Sequence, residues 1–116
     1  MKLVIVVDNV KEHETPEQSE RRTSSCEGYA EAVRKVMKIA KGGWGWCTAT
    51  VTAQLKDRNR VVDEETSYLG NCSYISSYDF VANSGYFNQM VSDALRDLAK
   101  RHPEHLPVSP PNSVIK

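Results

Sequence analysis

The sequence has 116 residues, 40% of them apolar and 26% charged, the balance of an ordinary soluble globular domain. Fifteen Lys and Arg offset fifteen Asp and Glu, so the formal net charge is zero, which argues against a polybasic nucleic-acid coat, an acidic tail protein or a membrane-surface peptide. No apolar run approaches the roughly 18 residues of a membrane span, and the opening MKLVIVVDN turns acidic too soon for a secretion signal, so a cytoplasmic protein without membrane contact is expected.

Leu3-Val4-Ile5-Val6-Val7 is a run of mostly β-branched residues and reads as a strand buried on both faces, ended by Asp8-Asn9. Thr15-Pro16-Glu17-Gln18 is a helix start: Thr15 can cap, Pro16 suits the first helical position and Gln18 completes a capping box. The helical stretch is predicted to reach about Lys41, with Gly42 as its stop. Its second half carries Cys26, Tyr29, Ala30, Val33, Met37 and Ala40 at close to helical spacing. The first half has no such stripe, and Ser24-Ser25-Cys26-Glu27-Gly28 offers a second capping signal, so a break is allowed there, with residues 16–24 as a loosely attached arm.

Residues 46–55 form the clearest strand. Cys47, Ala49, Val51, Ala53 and Leu55 alternate with Trp46, Thr48, Thr50, Thr52 and Gln54. Asp57-Arg58-Asn59-Arg60 is a polar hairpin tip. The return strand begins at Val61-Val62, is interrupted by Asp63-Glu64-Glu65, and resumes from Thr66 to Leu69, with a bulge or turn at Gly70. Residues 72–76 continue it or add a third strand of the meander. After Ser84-Gly85, Phe87, Met90, Val91, Ala94, Leu95, Leu98 and Ala99 mark an amphipathic helix stopped by Pro103. The expected architecture is α+β, an antiparallel sheet with two helices packed on one face in the order β-α-β-β-(β)-α. Residues 1–102 form one domain on this reading, and 103–116, with four prolines, a flexible tail.

Three cysteines, Cys26, Cys47 and Cys72, are odd in number and widely spaced, which fits no disulfide framework or zinc ribbon. Cys47 and Cys72 read as buried thiols or as a pair touching across the sheet. His102 and His105 flank Pro103-Glu104 without further ligands nearby, and His13 stands in a charged loop, so neither a metal nor a cofactor is expected. No nucleophile and base share a motif, which places the chain outside the recognisable enzyme classes.

Gly42-Gly43-Trp44-Gly45-Trp46 is the most unusual segment. Its glycines precede a strand, the reverse of a phosphate-binding loop, in which they precede a helix. One indole can plug the sheet edge; an exposed one can stack on a ligand ring. Eight of the nine aromatic residues lie between positions 44 and 87, either as the core of a small domain or as the rim of a pocket. On the pocket reading Trp44, Trp46, Tyr74, Phe80 and Tyr86 stack, Asn71, Ser73 and Asp79 orient a ligand, and Arg96 or the flank around Arg34 meets its negative charge. Charge is uneven. Residues 34–60 hold seven bases against the single acid Asp57, and residues 61–93 hold five acids and no base. The basic segment is a solvated helix face or a patch for an anionic partner.

The segments W-G-W-C-T-A-T-V-T-A (44–53), L-G-N-C-S-Y (69–74), D-F (79–80) and G-Y-F-N-Q-M (85–90) resemble a family of small bacteriophage and prophage proteins, over roughly residues 29–99. The resemblance carries no assigned activity. It implies a protein that counters host defence in the bacterial cytoplasm; together with the aromatic clustering and the basic segment, the expectation is a non-enzymatic protein that sequesters a nucleotide-like small molecule or blocks a defence protein. A homo-oligomer is expected, because pockets in small proteins are often shared between subunits. A weaker similarity is to the double-stranded-RNA-binding domain, an alternative that implies a nucleic-acid partner. That domain reads RNA with lysines at the start of its last helix, and here Ser84 to Met90 holds no base.

Overall fold

The computed structural model of the chain describes residues 1–23 and 26–104. The element order is β1 (Lys2–Lys11), α1 (Pro16–Thr23), α2 (Tyr29–Met37), β2 (Cys47–Asp57), β3 (Arg60–Cys72), α3 (Ser77–Asn83) and α4 (Phe87–Arg101). The strands form a three-stranded antiparallel sheet in the order β1-β2-β3, and the class is α+β, as the sequence predicts. No helix among the described residues is long and apolar enough to cross a membrane. His105 and the proline-rich stretch after it lie outside the described residues.

The chain divides into two compact units. One comprises Met1–Asp8, Thr50–Tyr68 and the segment from Gly85 on; the other comprises Asn9–Ala49 and Leu69–Ser84. In the first unit the buried apolar residues are Val4, Ile5 and Val7 of β1, Val51, Ala53 and Leu55 of β2, and Phe87, Met90, Val91, Ala94 and Leu98 of α4. The helical set repeats every three or four residues and the β2 set every two, the periods of the two elements. The Thr52 and Thr66 hydroxyls bond at 2.8 Å, and Gln54 Nε2 donates to Glu64 Oε2 at 3.0 Å, which ties the polar face of the hairpin. Arg101, at the end of α4, donates to both Asp63 oxygens and to Glu65 Oε1. His102 Nε2 lies 2.8 Å from Asp63 Oδ2. The Arg101 guanidinium first, then His102, holds the Asp63 carboxyl well below the usual carboxylate range.

In the second unit the buried apolar residues are Ala30, Val33, Trp44, Cys47, Ala49, Cys72 and Phe80. The Thr15 capping box forms in both directions: Thr15 N–H donates to Gln18 Oε1 at 2.8 Å, and Gln18 N–H to Thr15 Oγ1 at 3.2 Å.

Several elements differ from the sequence reading. β1 runs through the expected stop at Asp8-Asn9 to Lys11. The helical stretch is two helices, α1 and α2, with the break that the second capping signal allows, but α2 ends at Met37, short of the expected Lys41. α1 is not a loose arm. Ser19 is buried, Arg22 pairs with Glu14, and Glu17 pairs with Arg34 of α2. It lacks an apolar stripe because polar contacts hold it. Residues 72–76 add no third meander strand; β3 ends at Cys72. α3 was not expected, although its signal is present. Ser76 Oγ accepts from Asp79 N–H at 3.2 Å, and the Asp79 carboxylate accepts from Ile75 N–H at 3.0 Å.

Candidate functional site

The Gly42–Trp46 loop starts where α2 and its last turn finish. Gly42 and Gly43 have φ of +61° and +82°, the left-handed region that glycine enters without strain. The loop is fastened to residues 73–75 by three hydrogen bonds. Lys41 N–H donates to the Ile75 carbonyl at 2.9 Å, Tyr74 N–H to the Trp44 carbonyl at 2.8 Å, and Ser73 Oγ to the Gly45 carbonyl at 2.7 Å. Ser73 thus holds the loop's backbone in place.

The two tryptophans part ways. Trp44 is 5% exposed and stacks on Phe80, with ring centroids 5.5 Å apart and planes at 25°. Tyr74 meets the same Phe80 edge-on at 5.3 Å. The faces of Trp44 and Phe80 are occupied by each other, as in an ordinary aromatic core. Trp46 is half-buried, donates from Nε1 to the Glu14 carbonyl at 2.7 Å, and lies 6.2 Å from Tyr29 in an edge-to-face contact.

Beside Trp46 is a groove of about 250 Å³, lined by Met37, Ala40, Gly43, Gly45 and Trp46. Met37 is 45% exposed and the adjacent Ile39 59%. Lys38 and Lys41 are also exposed, and neither has an ion-pair partner among the described residues. Arg34 and Lys35 one turn earlier are paired, with Glu17 and Glu31.

A polar network lies at the Asn71 turn. Asn71 has φ of +55°, beside the Gly70 at which the sequence reading put a bulge. With the amide turned to satisfy both of its atoms, Asn71 Nδ2 donates to Glu12 Oε2 at 3.2 Å and Glu14 Oε1 at 2.9 Å, and Oδ1 accepts from Arg22 at 2.8 Å. Glu12 Oε2 also accepts from Thr48 Oγ1 and from Asn71 N–H, both at 3.1 Å. Arg22 holds Glu14 through two bonds and pushes that carboxyl's pKa down. Cys47 and Cys72 are buried free thiols; burial pushes Cys47 up to about 12 and Cys72 upward as well. Among the described residues no cluster of three or more His, Cys, Asp or Glu could hold a metal ion.

Seven of the nine residues singled out from sequence belong to the second unit, where they fall into separate groups. Trp44, Tyr74 and Phe80 form an aromatic cluster, and Ser73 and Asp79 make backbone bonds in the same unit. Asp79, in the first turn of α3 behind the Ser76 cap, accepts from Ile75 N–H and from Asn83 Nδ2, and the Ile75 N–H is the main cause of its lowered pKa. Asn71 belongs to the polar network and Trp46 to the groove. Tyr86, 54% exposed, and Arg96, paired with Asp93 at 3.2 Å, belong to the first unit. Glu12, Glu14 and Arg22 carried no sequence signal, because Asn71 meets Glu12 across 59 positions of chain.

No family model matches the chain, and no curated protein or solved structure shows detectable similarity to it.

Proposed function

We propose that this chain is a non-catalytic binding protein whose partner is another protein, a component of host defence if the resemblance to phage and prophage proteins holds. The observation that carries the choice of a protein partner is the state of the aromatic residues. Trp44 and Tyr74 both pack on Phe80, and the Trp44 and Phe80 rings are buried, closed to a nucleotide base. The groove beside Trp46, about 250 Å³, is below the roughly 300–1,000 Å³ of pockets that enclose small ligands, and the larger one at the hairpin tip, about 630 Å³, is lined by Asp57, Arg58, Asn59 and Arg60, with no ring to stack on a base. Apolar side chains exposed at an open groove, Met37 lining it and Ile39 next to the lining Ala40, suit contact with a protein surface. The defence component of the reading rests on the motifs alone.

Two measurements test it. Titration with cyclic and linear nucleotides should leave the melting temperature unchanged; a saturable rise would overturn the protein-partner reading in favour of small-molecule capture. Expression in bacterial strains that each carry one defence system should restore phage plating on at least one. Unchanged plating on a broad set would sink the anti-defence role.

A further inference from the structure

The surface at the end of α2 combines an apolar groove with two exposed lysines. The groove floor at Gly43 and Gly45 has no side chains. Its Met37 wall is an unbranched thioether that adapts to different shapes. Trp46 is held from two sides, by the Nε1 bond to the Glu14 carbonyl and by the edge contact with Tyr29. A ring fixed in advance loses little freedom on binding. Lys38 and Lys41, each next in sequence to a lining residue, are cations without a carboxylate among the described residues.

We infer that this groove receives one apolar side chain of an acidic peptide segment of the partner, with Lys38 and Lys41 pairing to carboxylates beside that anchor. The inference rests on the protein-partner reading above and names the chemistry of that partner. Charge complementarity decides the sign: the residues that follow Met37 and Ala40 in sequence, Lys38 and Lys41, are exposed cations with no ion-pair partner among the described residues. The groove decides the class. A nucleic-acid backbone would engage the lysines without filling an apolar groove, whereas a peptide supplies both the anchor and the acids. Exposed pairs contribute little each, so the apolar anchor carries the affinity and the lysines select among candidate segments.

The test uses the full chain carrying W44F, which keeps an aromatic ring against Phe80 and leaves Trp46 as the sole indole. The probe is the peptide Asp-Glu-Leu-Phe-Asp-Glu, followed by Trp46 emission. A saturable shift is expected, weakened about tenfold or more when the peptide acids become Asn and Gln, and lost when Leu and Phe become Ser. The double substitution Lys38→Glu with Lys41→Glu should switch preference to a peptide with Lys in place of the acids. Both sites are exposed, and an unchanged melting temperature shows that the fold is intact. No saturable shift, equal affinity for acidic and amide peptides, charge reversal without effect, or tighter binding of a nucleic-acid duplex through the same lysines would each overturn the inference. The plating assay separates the two readings. A charge-reversed chain that still restores plating removes the groove assignment alone, and peptide binding by a chain that restores no plating removes the defence role alone.

Discussion

A Cβ placed on Gly45 would lie 2.7 Å from the Cα of Met37 and 3.2 Å from the Ala40 Cβ, so the loop before β2 rests directly on the end of α2. This approach shapes the groove: a side chain at position 45 would both fill it and push the loop off the helix. The contact that must give way is backbone, which cannot swing aside as a flexible side chain can.

Gly45→Ala should therefore destabilise the protein by about 1–3 kcal/mol, the usual cost of forcing extra volume into a packed site. At roughly 4–8 °C per kcal/mol for a domain near this size, the fall is readable by thermal denaturation. A melting temperature within a degree of the parent would mean that the loop and helix are not in contact.

Asn71 combines a left-handed backbone with a fully bonded amide. Asn71→Ala loses both, and should cost about 1–3 kcal/mol. Asn71→Gly relieves the backbone cost but not the lost amide bonds, so it should recover only part. Urea titration of the two variants separates the contributions. Full recovery by glycine would show that the bonds to Glu12, Glu14 and Arg22 add nothing.

The Asp63–Arg101 pair makes stability depend on pH in a defined direction. The folded-state pKa of Asp63 lies below its unfolded value, with the Arg101 bonds as the main cause. Its contribution is therefore fully present above the unfolded value of about 3.9, and is lost as pH falls from there toward the folded value. Asp63→Asn should destabilise the chain more at pH 7 than at pH 3, measured by urea unfolding at each pH. Equal losses at both would show that the carboxylate charge is not what holds the end of α4.

The cysteines should react in order of exposure. Cys26 is exposed, whereas Cys47 and Cys72 are buried and their thiols resist ionisation. Iodoacetamide at pH 8 should alkylate Cys26 first, with the other two labelled only on addition of denaturant, as mass spectrometry of the digested protein would show. Early labelling of Cys47 would mean that the start of β2 opens readily.

Much of this fold was legible in the sequence wherever one local period or one cap determined the outcome. The alternation from Cys47 to Leu55 has its apolar members buried in the structure, since successive side chains of a strand must face opposite ways. The α4 stripe and the Thr15–Gln18 capping box are equally local. Even α3, which the reading passed over, is announced by Ser76 three residues before Asp79. The sequence also located the glycine-rich tryptophan segment as unusual, and placed a basic run beside it.

What only the tertiary structure decided was the destination of groups whose partners are distant in sequence. Trp44 and Trp46 are two residues apart and chemically identical. One is buried because Phe80 offers its face, and the other borders a groove because Glu14 and Tyr29 hold its edge. In the same way Tyr68 shares strand parity with Cys72, yet Tyr68 is exposed and Cys72 buried, with the left-handed backbone of Asn71 within β3 between them. The Asn71 side chain is held there by Glu12, Glu14 and Arg22, which precede it by about fifty residues or more. Periodicity reports which way a side chain points relative to its own element; it carries no information on what a remote segment will bring to meet it.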